Sequence, residues 1–459
     1  MPSITQPRGS PALLTISVPF YLRSRITLCA VLIVPALAHS QSAPDSVRRV
    51  TLAEALSLAT RVSPDLANGE ATVRSARAAR LVATGEYLPS LGVASSGGRG
   101  TIVQGANSVT NGIPVASSAR PLDDVFGSGL SVALPVFTGG RRGADRRSAD
   151  ALQNAADAGL VAAEYDVRLA TKETYFNALR ATDLVEVASA QVAQAERAMR
   201  DAESRLRAGT TTRSDVLRAQ VALASAHDAL ASAGANRTAS EFELARVIGS
   251  DSPVGASPVA DEDSIPLPVS RESLIASAVN GAPLARAAAA NAQAAEAAIG
   301  AAKAQYLPTL LASGGYGWLE QRSVNPRPVG GWTLQMGISY PLFNGFQREA
   351  AVTRAKAEAD AARSIQLDTK RGIRADAVRA YDEATVAAQR IGFAREAVAA
   401  AREDLRVQEL RYRAGASTFL DEVTSQLNLT QTATSLVQAR YDYQIARAML
   451  ERVLGRNLQ

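Results

Sequence analysis

The sequence predicts a mixed α and β membrane protein built from two internal repeats, each joining two membrane-crossing strands to long helices. Three observations predict it. Pro135-Val136-Phe137-Thr138-Gly139 returns 206 residues later as Pro341-Leu342-Phe343-Asn344-Gly345. At the same spacing Arg207-Ala208-Gly209 returns as Arg413-Ala414-Gly415, Asp215 as Asp421, and Val247-Ile248-Gly249 as Val453-Leu454-Gly455. A duplication that tolerates no length change suits long helices that must stay in register. Tyr87-Leu88-Pro89-Ser90-Leu91 recurs at Tyr306-Leu307-Pro308-Thr309-Leu310 with an offset of 219, so the variable segment lies between Pro89 and Pro135. Finally, apolar and small residues alternate strictly from Trp332 to Leu342.

Export comes first along the chain. Arg23 and Arg25 precede an apolar run from Ile26 to Leu37, and Ala36-Leu37-Ala38 supplies a cleavage pattern. Residues 1–38 therefore read as a secretory signal peptide, too short for a spanning helix. Cys29, the only cysteine, falls inside it, leaving a mature chain without thiol or disulfide. Arg8, Arg23 and Arg25 also leave, so the formal charge of +5 shrinks to a slight arginine surplus with no basic block. Nucleic-acid binding gets no support from that. Beyond residue 38 no apolar run approaches the ~18 residues of a membrane helix, so helices do not place this chain in a bilayer.

The helices are read from composition and caps. From about Gly143 to Arg207, and again from Arg348 to Arg413, proline is absent and Ala, Arg, Glu and Leu dominate. Unbroken, the first spans about 95 Å. Each stops at a glycine, Gly209 or Gly415, where αL geometry ends a helix. Thr212 with Asp215, and Thr418 with Asp421, then read as capping boxes. The following arm, 213–248, covers roughly 54 Å, and a helix from about Ser63 to Glu86 roughly 36 Å. Stacked end to end, these two nearly match the long helix, which suggests a cylinder wall. The arm carries a heptad seam through Val216, Ala219, Leu223, Ala226, Leu230, Ala233, Arg237, Ser240, Leu244 and Val247, of which Leu223, Leu230, Leu244 and Val247 are echoed at Leu429, Leu436, Leu450 and Val453. Close left-handed packing follows. An ordinary soluble coiled coil fits this segment equally well.

The strands are read from alternation. Trp332, Leu334, Met336, Ile338, Tyr340 and Leu342 turn one way and small or polar residues the other, as in a strand between lipid and lumen. Strands are expected near 88–97 and 126–137 in the first repeat and near 307–318 and 331–343 in the second. Tyr316, Trp318 and Trp332 sit at the outer ends, where an aromatic girdle belongs. Segments 97–125 and 319–331 are rich in Gly, Ser, Asn and Pro and read as exposed loops. Residues 250–270 read as a linker between repeats at 51–249 and 271–455. Four strands cannot close a barrel in lipid, where open edges would leave backbone groups unpaired. The chain must oligomerise, and three copies supply twelve strands around a water-filled lumen with a matching ring of helical columns.

These motifs, with Thr174-Tyr175-Phe176-Asn177-Ala178-Leu179 and Asp215-Val216-Leu217, resemble those of TolC-type outer-membrane efflux proteins over about residues 50–456. The resemblance implies a trimeric 12-stranded β-barrel continued by a long α-helical periplasmic tunnel, in the outer membrane of a Gram-negative bacterium. It implies an exit duct of a tripartite efflux pump or type I secretion system, passive, and partnered by a periplasmic adaptor and an inner-membrane transporter. The family's small equatorial domain would fall at Ser250 to Ser270 and the chain ends, and would be minimal here.

The resemblance also assigns sites at the periplasmic tip. Tyr412 would tie one coil to Ser214 and Asp215 on the other hairpin, and the family's tip arginine is absent because Ser417 occupies its place. Asp421 matches one position of an acidic ring; the other is Thr424, with Glu422 as a substitute. A capping role explains Asp215 and Asp421 as well. Gly209 and Gly415 would meet the adaptor's hairpin tips, or serve only as helix stops. No P-loop, Gly-x-Ser-x-Gly or His-Glu-x-x-His competes, so neither enzyme nor cofactor is expected. His39 and His227 make no metal site. The rival reading is a periplasmic coiled-coil adaptor or scaffold without a barrel.

Overall fold

A computed structural model of the chain describes residues 47–100, 109–110, 113–114, 123–259, 270–321 and 329–458. The expected signal segment and the tips of both expected loops lie outside the described residues. In the first repeat β1 (Arg48–Val50) leads into α1 (Leu52–Val62), α2 (Pro64–Gly85) and β2 (Ser90–Gly100). Strands β3 (Val109–Thr110) and β4 (Ile113–Pro114) pair only with each other. Strand β5 (Asp123–Phe137) precedes α3 (Arg141–Arg207), α4 (Arg213–Ile248) and β6 (Val254–Ala256). The second repeat holds α5 (Arg271–Gly281), α6 (Pro283–Lys303), β7 (Thr309–Gln321), β8 (Val329–Ser339), α7 (Gln347–Arg413) and α8 (Phe419–Leu454).

Caps explain where these helices begin. Thr51, Ser63 and Ser270 each accept a bond from the backbone three residues on, satisfying an orphan N–H of α1, α2 and α5. Pro64 and Pro283 open α2 and α6, positions where a missing N–H does no harm. Helices α1, α5 and α6 and the parallel pair β1–β6 were absent from the sequence expectation. The long helices α3 and α7 are 67 residues each, about 100 Å.

Four columns result. Helix α2 packs along the first half of α3 and α4 along its second half; α6 and α8 do the same on the other side, and α7 flanks them. The broken columns meet at glycines: Gly249 (φ 73°) faces Val62, and Gly455 (φ 62°) faces Pro283. The heptad seam of α4 turns inward, with Ala219, Ala226 and Leu244 fully buried. Small alanines let these helices approach closely, as the predominance of alanine among buried residues of α3 and α7 reflects.

The main sheet has the order β2-β5-β7-β8, antiparallel throughout. Each strand runs directly into or out of one column: β2 from α2, β5 into α3, β7 from α6, β8 into α7. Strand order and column order therefore coincide. The unpaired edges, β2 with α2 and α4 on one side and β8 with α7 on the other, coincide too.

Two strand expectations are corrected. The strand near 331–343 ends at Ser339, because Ser339 pairs with Thr309, the first residue of β7, and no partner remains for Tyr340. Pro341 has no N–H to continue the ladder. Conversely, the ladders run into the expected loops: Gly100 pairs with Asp123 and Leu319 with Val329. Near the middle of the column set, β1 and β6 lie beside a core of Val50, Tyr175, Leu244 and Val254, and the Tyr175 hydroxyl donates to Ser257 O at 2.7 Å.

Candidate functional site: the tunnel tip and the barrel wall

The two turns at the far end from the sheet are near-copies. Gly209 (φ 74°) and Gly415 (φ 75°) adopt αL geometry. Thr210 N donates to Arg205 O at 2.9 Å and Ala416 N to Arg411 O at 2.8 Å, the six-to-one bond of a Schellman stop. Open space surrounds both glycines where a Cβ would sit. Asp215 Oδ2 accepts from Thr211 Oγ1 and Thr212 Oγ1, each at 2.8 Å. Burial alone would raise the Asp215 carboxyl, but those bonds and Arg218 outweigh it and hold the pKa below the ordinary value. Asp421 Oδ2 accepts from Thr418 N at 2.9 Å and Thr418 Oγ1 at 2.8 Å, and those bonds lower its pKa. Both acids are thus fixed as carboxylates by their caps. Ser214 is exposed beside a groove between α4 and α8, with Leu217 and Phe419.

The expected tie from Tyr412 to Ser214 or Asp215 is not made within this chain. Asp215 is occupied by its own cap, and the buried Tyr412 hydroxyl has no hydrogen-bond partner. The cross-hairpin contact is made instead by Arg205. Its guanidinium carbon lies 4.3 Å from the centre of the Tyr412 ring, and Nη1 donates to Tyr412 O at 2.8 Å. The Phe419 ring, 5.7 Å away, backs the tyrosine. The hairpins are thus joined by a cation from the first repeat, on α3, where the resemblance pointed to the second.

Glu422 does not substitute into an exposed ring. It is 7% exposed, accepts from Gln426 Nε2 at 3.2 Å, and lies within the electrostatic reach of groups on α3 and α7. Burial first, then the charges of Glu409 and Asp201, push its pKa up to about 7, against the opposing pull of Arg205 and Arg413. Among the described residues no three His, Cys, Asp or Glu side chains gather as a metal site.

On the sheet, Tyr316 is paired with Trp332 across β7 and β8, and Trp318 lies 6.4 Å from Tyr316, ring to ring. Trp332, 77% exposed, shares its face with the exposed Leu334, Met336 and Ile338. At the sheet's other end two arginines, unforeseen in the sequence, anchor strand to helix. Arg142 donates to Glu86 O at 3.1 Å and Val136 O at 2.9 Å, with its guanidinium 4.8 Å from the Tyr87 ring centre. Val136 is the bulged residue of β5, so its carbonyl is free to accept. Arg348 repeats the arrangement on Pro341 O at 3.1 Å, Leu342 O at 3.2 Å and the Tyr306 ring at 5.0 Å. Their 206-residue spacing was the available signal.

A sheet that passes strand by strand into four columns, with free edges on matching sides, defines one sector of a barrel-and-tunnel duct. The chain belongs to the outer membrane efflux protein family, whose signature matches residues 55–250 and 274–456. It is 25% identical to the pyoverdine export outer membrane protein OpmQ of Pseudomonas putida, over 92% of this chain and 90% of that protein. It is 24% identical to the cobalt-zinc-cadmium resistance protein CzcC of Cupriavidus metallidurans, over 70% of this chain and 76% of that protein. Similarity to CyaE of Bordetella pertussis reaches 27% identity over 73% of this chain and 69% of that protein. Among solved structures, the chain matches VceC of Vibrio cholerae with a TM-score of 0.75 and 20% identity, over 89% of this chain and 97% of that one. The match to CusC has a TM-score of 0.77 and 18% identity, over 88% and 92% of the two chains.

The protein is an outer-membrane export channel with a periplasmic helical tunnel, and it is not an enzyme. Channels of this family are homotrimers that work with adaptor proteins and inner-membrane pumps. The scaffold reading without a barrel does not fit.

Proposed function

We propose that the duct is gated at its two helical turns, where Ser214, Asp215, Tyr412 and Asp421 control passage and Gly209 and Gly415 receive an adaptor. One observation carries this reading: both turns hold a capped, charged carboxylate at the end away from the sheet. Three copies around an axis bring Asp215 and Asp421 into rings, which attract cations and repel anions. A cap fixes where a carboxylate points, so the capping and gating roles reinforce each other. Relatives named for metal resistance and for pyoverdine export are similar to this chain over most of its length, which supports a duct whose cargo is selected by the inner-membrane pump.

Single-channel recording in planar bilayers tests the gate. Asp421→Ala should reduce cation selectivity, and unchanged selectivity removes Asp421 from the passage. Bulky substitution at Gly209 and Gly415 should abolish adaptor cross-linking while trimers still assemble. Normal cross-linking would refute the docking role.

A further inference from the structure

Outside the capped turns, the tip contains one buried acid and one cross-hairpin cation that sit together. Arg205 leaves the last turn of α3 and reaches the last turn of α7, where it covers the Tyr412 ring and bonds the Tyr412 carbonyl at 2.8 Å. That carbonyl is among the last of α7; it accepts only the tight turn bond from Gly415 N at 3.1 Å and has a lone pair left for the guanidinium. The cation therefore answers both the helix dipole and the ring quadrupole. Beside it, Glu422 is buried on the first turn of α8. Helix α3 turns Asp201 and Arg205 toward it, α7 turns Glu409 and Arg413, and its own helix supplies Gln426. Helix α4 contributes only the apolar Val216 and Ala219 to the adjoining Phe419 and Tyr412 cluster.

We propose that Arg205 is the tie that holds the two hairpins together at the tip, and that the charge on the buried Glu422 decides whether the tie holds. This rests on the reading of the tip as the gate. With Glu422 neutral, three acids and two arginines leave a balanced pocket that packs tightly. With Glu422 charged, a third carboxylate is confined beside Asp201 and Glu409 without enough water, and relief requires α8 to swing away from α3 and α7. Arg205 then loses the desolvated surroundings that make its contact with Tyr412 strong. The direction follows from the raised pKa of Glu422, about 7 in the closed tip against 4.5 once the group is freed: the tie is firmest below the lower value and is lost as pH rises to the upper one. Arg205 acts as a positioning residue, since the conducted solute need not touch it.

Two readouts on the full-length trimer test this. Hydrogen exchange of segments 196–220 and 405–426 reports the tie directly, and single-channel conductance between about pH 5.5 and 8.5 reports the gate. In the wild type both should rise with pH after correction for intrinsic exchange rates. Glu422→Gln should keep both low at every pH. Arg205→Ala should raise tip exchange at low pH several-fold, with Arg205→Lys intermediate because a lysine keeps the charge but not the planar stacking. A Glu422→Gln protein that titrates like the wild type overturns the proposal. So does an Arg205→Ala tip as protected as the native one, a test that remains if the glutamine variant does not assemble. Exchange that responds while conductance stays flat upholds the tie and overturns the tip as the gate.

Discussion

Arg348 and Tyr306 meet where the sheet becomes the tunnel: the guanidinium carbon lies 5.0 Å from the ring centre while the same group bonds Pro341 O and Leu342 O. Arg142 and Tyr87 repeat the relationship in the first half of the chain. Arg348 takes up two carbonyls beyond the end of β8, and Arg142 takes up the bulge carbonyl of Val136 and the Glu86 carbonyl at the end of α2, where strand geometry must change to helix geometry. The arginine fork suits this because it offers several donors in one plane and stacks on an aromatic face.

Replacing Arg348 by alanine should therefore destabilise the junction by about 2–4 kcal/mol, the worth of its charge-assisted bonds and of the carbonyls left behind. The check is the temperature at which the trimer dissociates on semi-native gels. Arg348→Lys should recover less than half of the loss, because an ammonium cannot serve both carbonyls and the ring together.

The column joints make a sharper contrast between glycines. Gly455 has φ 62° and would press a Cβ into Pro283, whereas Gly415 has φ 75° and open space. Gly415→Ala should cost about 1–2 kcal/mol, the backbone term alone. Gly455→Ala should cost more and lower the yield of assembled trimer, as measured by gel and by recovery from membranes.

The lipid face is tested by charge. Leu334→Arg, on the face of Trp332 and Met336, should cost about 2–4 kcal/mol if that position faces the bilayer centre. Gln335→Arg, one residue along and on the opposite face, should leave assembly intact and alter conductance. Equal effects at the two positions would contradict the alternation of β8.

Two groups at the tip give opposite pH dependences. Asp215 has a lowered pKa, so its stabilisation is present above the unfolded value near 3.8 and is lost as pH falls through the folded one. Glu422 stays neutral in the fold up to about 7 but ionises from 4.5 when unfolded, so tip stability declines between those values as pH rises. Protection of the tip against exchange should peak near about pH 4–5. In Glu422→Gln the decline on the alkaline side should vanish while the acid side remains.

What the sequence disclosed follows from which forces are local. The ends of α3 and α7 and the starts of α4 and α8 were readable because a glycine stop and a threonine cap act within one turn of the chain. The apolar face of β8 was readable from alternation, but its end was not. Tyr340 and Leu342 continue the pattern, and only the partner strand, which begins at Thr309, decides where pairing stops. At the tip, Asp421 and Glu422 are neighbours in sequence, yet a helix turns about 100° per residue. One becomes a cap and the other is buried. Arg205 carries no local sign of its role, because Tyr412 is brought to it by the packing of the second hairpin's α8 on α3. Arg142 and Arg348 could have been found: they keep the 206-residue spacing and stand beside motifs already matched.

The account stands on the free edges of the chain, β2 on one side and β8 on the other, being joined between copies. Introducing one cysteine in β2 and one in β8 and oxidising the assembled protein in the membrane measures this directly. Some pairs along the two strands should link into a covalent series that ends at three chains on denaturing gels. A series continuing past three, or strands that never link at any register, would contradict the duct.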